Sequence, residues 1–121
     1  MSKPLLIVVD DEQDMAEFIG YVGEKVGFRV QIATSGKEFQ RLYGDGPTDA
    51  IVMDIVMPDM DGNELIQWLA KKDCSASIIL ISGYGGTYIS LTEALGKFQK
   101  LNILEPLAKP VSFSVLGSVD N

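Results

Sequence analysis

The sequence predicts an α/β domain, a parallel sheet with helices on both faces. Three observations carry this. Short runs such as Leu5-Leu6-Ile7-Val8-Val9 and Ile51-Val52-Met53 are continuously apolar and end on polar residues. Runs of that kind suit strands buried on both faces. Segments with apolar residues at helical spacing lie between them, and the strand-then-helix order repeats five times, which implies crossover-connected parallel strands. At 121 residues the chain is expected to form one domain, residues 1–121, around one core.

Leu5 to Val9 is the first strand, ending in Asp10-Asp11-Glu12. Met15, Phe18, Ile19, Val22 and Val26 follow on one helical face, and Gly27 is placed to stop that helix. Gly20 and Gly23 inside it lower its helix propensity. Phe28, Val30 and Ile32 alternate with polar neighbours as a second strand with one wetter face. Ser35 and Glu38 have capping-box spacing ahead of a short helix through Phe39, Leu42 and Tyr43. The third strand runs from about Ala50 to Met53, and Asp54 stands where it opens into the turn Pro58-Asp59-Met60-Asp61-Gly62. Asp59 and Asp61 read as turn and cap residues.

A helical pattern with Leu65, Trp68, Leu69 and Lys72 starts at about Asn63. Ser77 to Ile81 forms the fourth strand and ends on Ser82. Leu91, Ala94, Leu95 and Phe98 mark a fourth helix. Asn102 to Leu107 fits a fifth strand, followed by Lys109-Pro110. Ser112 caps a short last helix through Val115, Leu116 and Val119.

Composition excludes several function classes. The chain has no His, which removes imidazole metal sites and Ser-His or Cys-His nucleophile pairs. Its single Cys74 cannot form an internal disulfide and reads as a structural thiol, consistent with a reducing compartment. A net charge of −7 without a basic stripe argues against direct nucleic-acid binding. No apolar run approaches the roughly 20 residues of a membrane span, and no signal peptide precedes the first strand, so a cytoplasmic location is expected.

Right-handed crossovers bring all strand C-termini to one edge, where an open α/β sheet binds its ligands. Asp10 and Asp11, Asp54, Ser82 and Lys109 all stand there. Clustered carboxylates need cations. Lys109 supplies one charge, and an all-oxygen donor set suits Mg²⁺. For an arriving phosphoryl group, Asp54 supplies the attacking oxygen, Ser82 a hydrogen bond and Lys109 a counter-charge, and phosphoryl transfer asks mainly for such positioning and neutralisation.

These residues resemble the response-regulator receiver domains of two-component systems. The matching pieces are Val9-Asp10-Asp11-Glu12, Met53 to Gly62, Ile81-Ser82-Gly83 and Lys109-Pro110, in order across nearly the whole chain. The resemblance implies a (βα)5 doubly wound sheet of flavodoxin-like strand order 2-1-3-4-5, here with a short last helix. It implies Asp54 as phosphoacceptor, Asp11 as direct Mg²⁺ ligand, Asp10 as the acid holding metal-bound water, and the Val56 backbone carbonyl as a further ligand. It implies Ser82 and Lys109 as the groups that meet the phosphoryl oxygens, and a cis Lys109-Pro110 bond. The partners implied are a histidine kinase or histidine phosphotransfer protein and a fused or separate output domain. The Ser82-Gly83-Tyr84 and Leu104-Glu105 segments are similar to receivers joined to cyclic-di-GMP phosphodiesterase outputs.

One position departs from that pattern. Pro106 stands three places before Lys109, where receivers often carry a switching aromatic ring, so Tyr84 or Tyr88 becomes the candidate substitute. Two alternatives stay open from sequence: a phosphorylation-independent pseudo-receiver and an aspartate-nucleophile phosphohydrolase.

Overall fold

The computed structural model describes residues 3–82 and 86–108, with only the backbone described at 86–88 and 107–108. Lys109, Pro110, Gly83, Tyr84, the Tyr88 side chain and the predicted last helix lie outside the described residues. The elements are β1 (Leu5–Val9), α1 (Gln13–Lys25), β2 (Arg29–Ala33), α2 (Gly36–Tyr43), β3 (Ala50–Asp54), α3 (Gly62–Lys71), β4 (Ser77–Ser82), α4 (Gly86–Phe98), β5 (Asn102–Ile103) and β6 (Leu107–Ala108). All pairings are parallel, in the order β2-β1-β3-β4-β5, with β6 also on β4. This is the expected doubly wound order.

The continuous apolar strands are buried on both faces because helices cover both. Leu5, Ile7, Val9, Ile51, Met53, Ile78 and Leu80 face Phe39 of α2 and Leu65, Ile66 and Leu69 of α3. Leu6, Val8, Val52, Ile79 and Ile81 face Ala16, Ile19 and Val22 of α1. Among the described residues, no helix is long and apolar enough to cross a membrane.

The predicted fifth strand is two pieces, β5 and β6. Ser77 pairs with Asn102 and Ile78 with Ile103, whereas Ile81 pairs with Leu107 and Ser82 with Ala108. Between the pieces β4 has two residues and its neighbour has three, so one extra residue is accommodated there. That is the count of a β-bulge, and Pro106, which has no N–H to give the ladder, falls inside it. Leu104 N–H still donates to the Ile78 carbonyl at 2.8 Å, so the break begins after it.

On α1 the predicted face turns inward at Met15, Ile19 and Val22 but not at Phe18, whereas α4 buries a largely different face from the one its periodicity predicts. On α1 the buried residues are Ala16, Ile19, Gly20, Val22 and Gly23, and Phe18 is exposed. A Cβ at Gly23 would stand 2.6 Å from Leu6 Cδ2, and one at Gly20 would stand 3.2 Å from Ile32 Cδ1 and Val30 Cγ1. The glycines therefore let α1 lie close on the sheet, an approach that larger residues on that face would prevent. On α4, Leu91 and Phe98 are 62% and 81% exposed while Thr92 is buried. Gly96 again makes the close contact, its added Cβ falling 2.7 Å from Ile103 Cδ1. Gly27, at φ 111°, lies just past the end of α1, where a left-handed residue is required.

Candidate functional site

The strand register builds the site. Val9 is level with Met53, so the next residues, Asp10 and Asp54, are level on adjacent strands. Adjacent strands lie about 4.8 Å apart, so side chains placed this way meet. Asp10 remains on the ladder, its N–H donating to the Ala33 carbonyl at 3.1 Å. Both acids are buried, with Asp10 0% and Asp54 3% exposed. Each carboxylate accepts a backbone hydrogen bond two residues on: Glu12 N–H donates to Asp10 Oδ1 at 2.9 Å, and Val56 N–H to Asp54 Oδ1 at 3.1 Å.

The third acid of the cluster is Glu12. One carboxylate oxygen from each of Asp10, Glu12 and Asp54 lies within 4.8 Å of the others. Asp11 is exposed and stands outside this group. The reason is the two-residue period of extended backbone. Glu12 has φ −86° and ψ 105°, still extended, so the chain has not yet turned helical and alternate residues share a side. That period was the available signal for Glu12.

Ser82 is buried at the C-terminal end of β4, one residue beyond Ile81, which is level with Asp54. Val56 is half-buried in the loop after β3. Asp10, Asp54 and Ser82 thus converge on one edge as the topology requires, and Lys109 lies outside the described residues.

The loop between Asp54 and α3 is held at several points. Ile55 N–H donates to the Ile81 carbonyl at 3.2 Å, and Gly62 N–H returns to the Ile55 carbonyl at 2.8 Å. Asp61 caps α3 by accepting from Glu64 N–H at 2.9 Å, as its turn position suggested. Asp59 instead reaches across to α2, a tertiary contact with no local sequence signature. Its Oδ1 accepts from Gly36 N–H at 3.1 Å and its Oδ2 from Lys37 N–H at 3.2 Å.

Away from this edge, Phe39, Tyr43 and Trp68 pack ring against ring between α2 and α3. Burial pushes the Tyr43 hydroxyl well above the usual tyrosine range, and its hydrogen bond and electrostatic interaction with Cys74 push it further. Cys74 is buried and free, as a structural thiol should be.

A doubly wound parallel sheet with paired acids at its carboxyl edge places those acids where such folds bind their ligands. Comparison with known proteins narrows the class of domain. The response regulator receiver domain profile matches residues 6–118. The chain is 32% identical over 102 residues to the chemotaxis protein CheY of Listeria monocytogenes, covering 84% of this chain and 85% of that protein. It is 28% identical over 111 residues to the transcriptional regulatory protein CusR of Escherichia coli, covering 92% of this chain and 47% of CusR. The chain therefore spans about half the length of that relative. A response regulator from Colwellia psychrerythraea superposes with a TM-score of 0.83 at 29% identity, covering 98% of this chain and 94% of that one. The Francisella response regulator 1452 receiver domain superposes with a TM-score of 0.80 at 30% identity, covering 98% and 93%. The chain belongs to the response regulator receiver domain family. Receiver domains are signalling domains that work with histidine kinases and often with output domains.

Proposed function

We propose that this chain is a phosphorelay receiver that accepts a phosphoryl group from a phosphohistidine donor onto Asp54, with Mg²⁺ bound beside it. The meeting of Asp10, Glu12 and Asp54 within 4.8 Å at the carboxyl edge of the sheet carries this reading. Such a cluster repels itself, and an all-oxygen donor set matches a hard divalent ion. Asp10, Asp54 and Glu12 would hold the ion; the family resemblance adds the Val56 carbonyl and Asp11, whose exposed carboxylate would have to turn in from outside this group. When bound, Mg²⁺ neutralises these carboxylates and the oxygens of the incoming phosphoryl group.

The transfer itself uses the chain's own groups. An Asp54 carboxylate oxygen attacks phosphorus in line. The bond from phosphorus to the donor imidazole nitrogen breaks, its electron pair stays with the imidazole, and an acyl phosphate remains on Asp54. A carboxylate needs no general base for this attack, which suits a chain without histidine. Val56 N–H on Asp54 Oδ1 fixes the plane of the carboxylate beforehand. Ser82 donates to one phosphoryl oxygen and Lys109 pairs with another. The added charge then biases a two-state surface around α4 and the interrupted fifth strand.

The domain comprises residues 1–121 and acts in the cytoplasm. Its catalysis is limited to its own phosphorylation and dephosphorylation. Its donor is a histidine kinase or histidine phosphotransfer protein, and its output a fused or separate domain, of the cyclic-di-GMP phosphodiesterase type by the resemblance around Ser82 and Leu104.

Incubation with acetyl phosphate and Mg²⁺, followed by intact-mass measurement, tests the reading. One phosphoryl group should be added, and it should be lost with a chelator or in Asp54→Asn. An unmodified wild-type protein, or an adduct that persists in Asp54→Asn, would refute it.

A further inference from the structure

The first turn of a helix leaves backbone N–H groups without partners inside the helix. In α2 these groups are divided between two side chains. Ser35 Oγ, the local cap, accepts from Glu38 N–H at 3.1 Å. Glu38 Oε1 accepts in return from Thr34 N–H at 2.8 Å, one residue earlier than the usual reciprocal partner. The remaining two donors, Gly36 and Lys37, go to the Asp59 carboxylate, from 23 and 22 residues away. A carboxylate at a helix N-terminus is favoured both by these bonds and by the helix dipole.

Asp59 lies at the tip of the loop that begins at Asp54 and carries Val56. The two ends of that loop are tied by the Gly62 to Ile55 bond, Val56, Met57 and Met60 pack against the core, and the Asp59 carboxylate fastens the tip to α2. Gly36 is part of the same fitting. A Cβ there would stand 2.8 Å from Met60 Cβ and 3.0 Å from Met60 Sδ, so only glycine lets the tip lie this close to the helix. Gln40 Nε2 also points at Met60 Sδ, at 3.7 Å.

We infer that Asp59 is a positioning residue for the acceptor loop: by fastening the tip to the N-terminus of α2 it holds Val56, and through it Asp54, in the geometry that phosphoryl transfer uses. The inference rests on the receiver reading above. Positioning through a fastened loop matters because displacements near 1 Å can cost up to about 10²-fold in rate.

Three variants separate loop positioning from helix stability. Asp59→Ala removes both the tether and two caps of α2. Gly36→Ala pushes Met60 away while improving the helix propensity of α2. Ser35→Ala removes a cap of the same helix and leaves the tether intact. Folding of each is checked by circular dichroism. The rate of labelling by acetyl phosphate is then measured by intact mass, and Mg²⁺ affinity by calorimetry. Asp59→Ala and Gly36→Ala should each lower the labelling rate several-fold, on the order of 3- to 10-fold. Both should also weaken Mg²⁺ binding, with Asp59→Asn intermediate and Ser35→Ala matching wild type. A fall shared by Asp59→Ala and Ser35→Ala but not Gly36→Ala assigns the effect to the helix and overturns the inference. Labelling of Asp59→Ala at the wild-type rate overturns it too. A wild-type protein that takes no phosphoryl group overturns the receiver reading itself, and the inference with it.

Discussion

Replacing Asp54 by Asn should stabilise the metal-free domain. One oxygen each of Asp10, Glu12 and Asp54 lies within 4.8 Å of the others. At that separation two unit charges repel by about 3.5 kcal/mol at an effective dielectric near 20. Two such pairs involve Asp54, but Glu12 is exposed and water screens its share. The Val56 N–H bond to Asp54 Oδ1 also offsets part of the cost, and an Asn oxygen can keep that bond. Lys109, if it pairs as the family resemblance implies, lowers the figure further. A net gain of about 2 kcal/mol remains, which for a domain of this size is roughly 6–10 °C in melting temperature. Calorimetry of both proteins in chelator, then in Mg²⁺, measures it. The variant should melt higher without metal, and Mg²⁺ should raise the wild type more, because a ligand stabilises only the state that binds it. A variant that melts at or below wild type in chelator, or that gains as much from Mg²⁺, would refute the charge argument.

Other consequences can be checked on the same protein. Gly62→Ala places a Cβ 2.8 Å from Ile55 Cβ and 3.0 Å from the Ile55 Cα, and backbone cannot yield as a side-chain tip can. The clash should cost about 1–3 kcal/mol, more than the gain in helix propensity, and a urea midpoint at or above wild type would contradict it. Tyr43 holds its proton more tightly when folded than when unfolded, where tyrosine titrates near pH ~10. Below that pH both states keep the proton and stability is unaffected. As pH climbs past about 10, the unfolded chain releases the proton while the folded protein retains it, and stability is lost. Tyr43→Phe should flatten this alkaline fall in urea midpoint, and parallel curves for the two proteins would exclude the effect.

The alternation of strands and helices was legible along the chain. Continuous apolar runs bounded by turn residues are a local signal, and parallel strands with crossover helices are the arrangement that buries them. It also brought Asp10 and Asp54 to one edge, since topology follows from that order. Ser35 and Asp61 were legible as caps because a cap and its N–H partner lie three residues apart. The inward face of α4, and the outward place of Phe18 on α1, come from packing between elements. Periodicity counts apolar residues, whereas Gly20, Gly23 and Gly96 face the sheet because the gap is too narrow for anything larger, leaving Phe18, Leu91 and Phe98 outside. The extra residue around Pro106 shows only in the register against β4. Glu12 rather than Asp11 completes the acidic group because the backbone stays extended past the end of β1, and Asp59 finds α2 across 22 and 23 residues. Each of these depends on distances between elements, and a sequence carries spacing along the chain, not across it.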